Sequence, residues 1–300
     1  MISASHEKAY TSSCQVTWLD RLRTLYQNLI ATPITFKISL IAVLAIVAIG
    51  IIGPFIVPFD PYATDYAASL AAPNAVHWFG CDAMGRDVFS RVICGTRISV
   101  FLSLAAVAIP LVIGAIVGAV AAYAGGWIDE VLMRIADIFQ AFPEIILGVA
   151  IVGVLGPGLA NALFAVVAVM WIRYARLMRS LVLRLLHADF IETARMSGAS
   201  HRQILVHHML PHLVPQLLVM GTLDIGFVML TLASFSFLGL GIQAPTAEWG
   251  SMLNDGRLYF ASSPYLMVFP GCAIFITVLV FNVFGNCLSD RLERRKGISW

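Results

Sequence analysis

Charge is what this sequence has least of. Asp, Glu, Lys and Arg make up 12% of its 300 residues and apolar residues 59%, against about 25% and roughly 45–50% in soluble domains. That excludes an ordinary water-soluble globule. Neither sign dominates: 19 Lys and Arg face 17 Asp and Glu, for a net charge of +2. Neither a nucleic-acid footprint nor a long acidic tail is therefore expected. Cysteine is sparse too. The five, at positions 14, 81, 94, 272 and 287, form no C-x-x-C pair and no metal-ligand spacing, and their odd number argues against a disulfide framework. Cys81 and Cys94 share one polar loop; they pair if that loop meets an oxidising compartment, or stay two small, partly buried thiols. Signatures of chemistry are missing as well. His207, His208 and His212 do not form H-E-x-x-H, and no G-x-S-x-G surrounds Ser234 or Ser236, so no catalytic residue, no metal ligand and no enzyme activity is expected.

Long apolar runs are present instead. A membrane helix needs about 20 apolar residues to cross some 30 Å of hydrocarbon, where unpaired backbone groups find no partner. Residues 38–59 and 98–124 carry no charge and read as spans one and two. From Val131 to about Arg173 the run is too long for one helix, and Gly156-Pro157-Gly158 divides it into spans three and four. Residues 213–241, interrupted only by Asp224, give a fifth span and 265–288 a sixth. The expectation is an all-α membrane protein of about six helices. It divides into a tail (1–33), a first membrane helix (34–59), a loop with an interfacial helix at Val88, Phe89, Val92 and Ile93 (60–97), a core (98–290) and a short tail (291–300). The tail 1–33 has no apolar stretch of the signal-peptide kind, so span one reads as an uncleaved anchor.

Orientation follows from the basic residues, which are retained on the cytoplasmic side. Lys8, Arg21, Arg23 and Lys37 precede span one, Arg173, Arg176, Arg179, Arg184, Arg195 and Arg202 follow span four, and Arg291, Arg294, Arg295 and Lys296 end the chain. With Arg134, these leave only Arg86, Arg91, Arg97 and Arg257 for the opposite face. Both termini are therefore expected in the cytoplasm.

Few charges fall inside the spans, and each needs a reason. Asp224 sits near the midplane, where a carboxylate costs on the order of 2.5–3.5 kcal/mol, so it either lines a translocation path or bonds a neighbouring helix. Arg134 and Asp137, three apart, can pair on one helical face as a structural or gating couple. Pro143-Glu144 marks a kink, and Glu144 has no evident partner in the sequence. Trp249 and Tyr259 read as aromatic anchors at the interface.

Between spans four and five lies a polar stretch, 189–211, built as two short helices. Asp189 with Glu192 has the spacing of a capping box, Gly198 suits a left-handed helix end, and Ser200 with Gln203 is a second capping box. Pro211 is expected to stop the second helix. Ile191, Ala194, Ile204 and Leu205 are available for packing.

This stretch resembles the cytoplasmic loop of membrane subunits of bacterial ABC importers. The family pattern of E-A-A, three residues, G, then I and L-P is matched by Glu192-Thr193-Ala194, Gly198, Ile204 and Leu210-Pro211, with Thr193 replacing an Ala. Two further motifs resemble the C-type permease branch of dipeptide, oligopeptide and nickel importers. Gly80-Cys81-Asp82, Gly85-Arg86-Asp87-Val88 and Ser90-Arg91 follow one, with Cys81 for Thr; Ser236-Phe237-Leu238-Gly239-Leu240-Gly241 through Glu248-Trp249-Gly250 follow the other. The likeness runs from about residue 33 to 290. It implies the type I importer permease fold, a location in the bacterial inner membrane, and contacts to the ATPase through Glu192, Thr193, Ala194, Gly198, Ile204, Leu210 and Pro211. The partners implied are membrane lipid, a second permease subunit in a heterodimer, two ATP-binding subunits and a periplasmic binding protein received by the outer loops at 60–97 and 242–264. The sequence has no G-x-x-x-x-G-K-[ST] phosphate loop, so this chain is expected to bind no cofactor and ATP to be used by the partners. Small peptides are the expected cargo, with nickel or a metal-metallophore complex, or another small solute such as glutathione, as alternatives. A proton-driven carrier is the rival of another class, but one midplane acid and no internal repeat speak against it.

Overall fold

The computed structural model describes residues 33–200 and 203–296, with side chains through Leu292. Lys8, Cys14, Arg21 and Arg23 of the expected tail, Arg202, and the side chains of Arg294, Arg295 and Lys296 lie outside the described residues. The chain divides into two units, Met1–Ile38 and Ser39–Trp300. Of the first, residues 33–38 are described, and from Ile34 they are helical.

Among the described residues all regular structure is helical. In chain order the helices are α1 (Ile34–Ile56), α2 (Val88–Ala124), α3 (Gly126–Gln140), α4 (Glu144–Leu155), α5 (Leu159–Leu186), α6 (Asp189–Met196), a π-helical turn (Ile204–Met209) leading into α7 (Leu210–Phe237), α8 (Trp249–Gly256) and α9 (Tyr265–Lys296). Short 3₁₀ turns lie at Tyr66–Ala68 and Arg257–Tyr259. Five helical runs are long and apolar enough to cross a membrane, and the pair α3 and α4, bent by 85°, makes a sixth if counted as one span. The expected six-helix count holds in that form.

The bend sits where Pro143 interrupts the chain. Proline has no N–H to give and disfavours helical geometry in the residue before it. At the other end of α4, Asn161 Nδ2 donates to the carbonyls of Leu155 and Gly156, both at 3.0 Å, and closes the expected Gly-Pro-Gly turn before α5.

Three boundaries differ from the sequence reading. Span four, expected to end at about Arg173, runs on to Leu186 as α5, so Arg173, Arg176 and Arg179 lie inside the helix. The helical spacing expected over Val88–Ile93 is present, but it is the start of α2 rather than a separate interfacial helix. Asp87 caps it by accepting from Ser90 N–H at 2.7 Å, and no proline falls before Pro110. Nor does Pro211 end a helix. It lies near the start of α7, and Ile204–Phe237 runs on as one 34-residue helix. The π turn just before it re-registers the hydrogen bonds, Leu210 N–H reaching back to Leu205 O, so the proline is absorbed at the junction.

Helices α2 and α5 approach closely through their backbones. A Cβ added at Gly114 would stand 2.4 Å from Trp171 O, and one at Gly118 only 2.1 Å from Ala175 O. Glycines four apart thus let the two backbones touch, as small residues do in membrane helix pairs. This contact fixes the stretch of α5 that carries Arg173 and Tyr174.

Candidate functional site

The connection after α5 folds largely as its local signals require. The chain is extended at Ala188, so helix α6 starts with Asp189 already helical, and no side chain caps it. The expected Asp189–Glu192 capping box is therefore not formed; both acids sit in the first turn, where they oppose the positive end of the helix dipole. The far end is closed by a Schellman motif. Ala199 N–H donates to Ala194 O and Gly198 N–H to Arg195 O, both at 3.0 Å. Gly198 has φ +81°, and a Cβ there would meet nothing within 4 Å. Conformation, not space, selects glycine at this position.

The second capping box is formed. Gln203 Oε1 accepts from Ser200 N–H at 2.8 Å, and Gln203 N–H donates to Ser200 Oγ at 3.4 Å. Ile191 and Ile204 are fully buried against Met178, Leu181 and Val182 of α5 and Ala119 and Ala122 of α2. Each such side chain contributes about 1.5–3 kcal/mol. Ala194 and Leu205 are half-buried, whereas Glu192, Thr193, Gly198, Leu210 and Pro211 are exposed. An open depression of about 490 Å³, lined by Ser197, Gly198, Ala199, Gln203, His207 and His208, lies on this surface.

Within the helices the charges form a ladder that the sequence reading missed. Arg173, Arg176 and Arg179 recur every three residues on α5, and each meets an acid of the bent pair. Arg179 grips Asp129 fork to fork at 2.5 and 2.6 Å, and Arg176 bonds Asp137. Arg173 Nε lies 4.0 Å from Glu144 Oε1 and its Nη1 lies 3.3 Å from Asp224 Oδ1. Tyr174 O–H donates to Asp224 Oδ2 at 2.8 Å, and the Arg173 guanidinium sits 5.9 Å from the centre of the Phe227 ring.

Several expectations change accordingly. Asp137 pairs with Arg176 rather than Arg134, because α5 offers a closer partner from across the helix pair. Arg134 is exposed and makes no ion pair among the described residues. Glu144 has a partner after all in Arg173. Asp224 is 6% exposed and bonded to a neighbouring helix, and the groups of its cluster that reach the surface are Arg173 and Glu144. At about 1.5 Å per residue, Arg173 lies roughly 21 Å along α5 from Leu159, and Asp224 roughly 20 Å from the Phe237 end of α7.

At the Leu159 and Phe237 end, the two motif segments stitch one layer together. Asp82 takes Arg86 at 2.7 Å, Arg91 at 3.5 Å and the backbone N–H of Met84 and Arg86. Arg91, 1% exposed, also donates to the carbonyls of Pro61 and Pro245. Glu248 caps α8 through the N–H groups of Gly250 and Ser251, and its burial pushes the carboxyl above its ordinary range. Trp249 is not an interfacial anchor: it is 2% exposed, and its Nε1 donates to Val92 O at 2.9 Å. Tyr259 is half-buried beside a cavity of about 290 Å³ bounded by Asp82, Arg86, Asn254 and Asp255. Cys81 and Cys94 are both buried and free, and burial, aided by Asp87, Asp82 and Asp65, raises the Cys81 thiol to about 11.

The sequence and the fold are similar to those of known proteins. Residues 110–298 match the family described as the binding-protein-dependent transport system inner membrane component, and residues 35–73 match the N-terminal transmembrane domain of oligopeptide transport permease C. The chain is 43% identical over 257 residues to a nickel transport system permease protein of Escherichia coli, covering 86% of this chain and 93% of that one. It is 39% identical over 276 residues to a dipeptide transport system permease protein of Alkalihalophilus pseudofirmus (92% and 89%). It is 41% identical over 252 residues to a glutathione transport system permease protein of Pectobacterium atrosepticum (84% of each). The fold is similar to that of a methionine ABC transporter solved in inward-facing conformations, with a TM-score of 0.55 and 20% identity over 69% of this chain and 96% of that one.

Proposed function

The chain belongs to the family of binding-protein-dependent transport system inner membrane components, the permeases of ABC importers, and from that premise we propose that it forms half of the path by which small peptides enter the cell. Dipeptide and glutathione, the cargoes named for two of the relatives, are both peptides. Nickel, named for another, is the second reading, favoured by 43% identity to that relative.

One observation supports the mechanism more than any other. The helix that begins in the α6–α7 connection continues without a break to Asp224 and on to Phe237. The proposed cycle uses that continuity. Two ATP-binding subunits on the cytoplasmic side close on ATP, which this chain does not itself hydrolyse. They move α6 and the π turn through Glu192, Thr193, Ala194 and the hinge at Gly198, and α7 carries the displacement about 30 Å to Asp224. Asp224 holds Arg173, so the shift reaches the edge of the path; Arg134 and Asp137 lie farther along the bent pair, where Asp137 bonds Arg176 and gates or braces the same face. A second permease subunit supplies the other half of the path, and a periplasmic binding protein delivers cargo to the 60–97 and 242–264 loops. Both termini are then cytoplasmic.

The test is uptake of a labelled dipeptide and of radioactive nickel in cells with and without this gene, with ATP depleted while the proton gradient is maintained. Gene-dependent peptide uptake that dies with ATP is the expected result. Uptake that persists on the proton gradient alone makes the chain a carrier instead, and loss of nickel uptake alone transfers the cargo to the second reading.

A further inference from the structure

Arg173 is the rung of the ladder that faces two acids and forms no hydrogen bond with either among the described residues. Arg179 spends its fork on Asp129 at 2.5 and 2.6 Å. Arg173 touches Asp224 at 3.3 Å with one nitrogen, stands 4.0 Å from Glu144 with another, and forms no hydrogen bond among the described residues. A guanidinium has five N–H donors in a rigid fork. Most of those donors are therefore unspent, on a side chain 33% exposed at mid-depth in the helices. Beside it Glu144 is 35% exposed and makes no hydrogen bond among the described residues. Behind Glu144 is a small hollow of about 20 Å³ walled by Ile145, Phe227, Thr231 and Phe235, and the Arg173 guanidinium stands outside it, 5.9 Å from the centre of the Phe227 ring.

Asp224 and Tyr174 explain why such a group stays in place. Asp224 is buried, with one oxygen bonded by Tyr174 and the other facing Arg173. It anchors the guanidinium from behind and leaves the front open. We infer that Arg173 and Glu144 are a subsite for a zwitterionic solute, Arg173 taking its carboxylate and Glu144 its ammonium group. This rests on the reading that this face borders the translocation path. A carboxylate matches the planar fork with two parallel hydrogen bonds, stronger here than in water because the surroundings are of low dielectric. Binding also replaces the long 4.0 Å approach between Arg173 and Glu144 with two better-matched pairs, so no charge is left facing lipid alone. Arg179 cannot serve in the same way, since Asp129 occupies its fork; Arg176 has spare donors too, but its acid, Asp137, is already hydrogen-bonded to it, and no second acid stands beside it among the described residues.

The experiment is equilibrium dialysis of radiolabelled dialanine, dialanine amide and N-acetyl-dialanine against the assembly purified in lipid nanodiscs through a tag on the full chain, with no soluble external protein added. Wild type is expected to hold dialanine about tenfold more tightly than either capped form. Arg173→Gln should lower dialanine affinity about tenfold and erase the discrimination against the amide. Arg173→Lys, which keeps the charge and loses the fork, should fall between. Glu144→Gln should erase the discrimination against the N-acetyl form alone. Arg176→Gln, one turn away, should leave both discriminations intact and controls for general damage to the ladder. Equal affinity for all three probes in wild type, no binding at all, or undiminished discrimination in Arg173→Gln would each overturn the subsite. Energy coupling is read separately: ATP-independent uptake by cells would sink the importer reading without moving the dialysis result.

Discussion

Two charged clusters in this chain use the same chemistry to opposite ends. In the loop layer, Asp82 is enclosed by Arg86 and Arg91, which are 4% and 1% exposed, and the leftover donors of Arg91 reach backbone carbonyls. In the helix bundle, Arg173 meets two acids at 3.3 and 4.0 Å and keeps a third of its side chain exposed. The first cluster is a closed knot that pins the segments around residues 61, 82 and 245 together. The second is held on one side only. A buried charge that is fully paired reports on architecture, whereas an intramembrane charge with spare donors is a candidate for function, here the proposed solute subsite.

The sharpest way to break that contrast is Asp82→Ala, which leaves Arg91 without its carboxylate and Arg86 with only Asp255, at 3.7 Å. Breaking a buried pair typically costs about 3–5 kcal/mol, so the purified variant should melt well below wild type or fail to accumulate in the membrane. An unchanged melting temperature would mean the knot is not what holds the layer. Next in size is Gly118→Val. A Cβ there would stand 2.1 Å from Ala175 O, and overpacking of this kind costs roughly 1–3 kcal/mol. Because α5 must move away from α2, Arg173 and Tyr174 should shift with it, and uptake should fall by more than the loss of folded protein accounts for. The smallest stability effect belongs to Glu144→Gln. Its half-exposed, 4.0 Å pair is worth less than about 1 kcal/mol, so the melting temperature should barely move while transport selectivity changes. A large destabilisation there would make the bundle cluster a second structural knot.

The contrast also explains how far the sequence could be read. Spans were legible because runs of apolar residues leave lipid as the only compatible solvent. The α6 turn was legible because Gly198 and the Ser200–Gln203 pair act within a few residues of one another. The misread charges share a cause: each depended on a neighbour distant in sequence. Asp137 lies three residues from Arg134 but bonds Arg176, 39 residues away, and Glu144 finds Arg173 across the same helix pair. Arg173, Arg176 and Arg179 read in the sequence as charges that follow span four, although their three-residue period is the sign of one shared helical face. Gly114 and Gly118, four apart, carried the matching sign that α2 and α5 lie in contact. Pro211 misled because a π turn, which leaves no mark in composition, absorbs it.

If the α6–α7 connection converts events at its exposed surface into motion of α7, as proposed above, Gly198→Val should uncouple the two. Valine has room for its side chain but not for φ +81°, so the hinge should stiffen while the chain stays inserted. The measurement is ATP hydrolysis and labelled dipeptide uptake, side by side, by the reconstituted assembly. Continued hydrolysis with uptake reduced about tenfold or more is the predicted result; normal uptake would contradict the account.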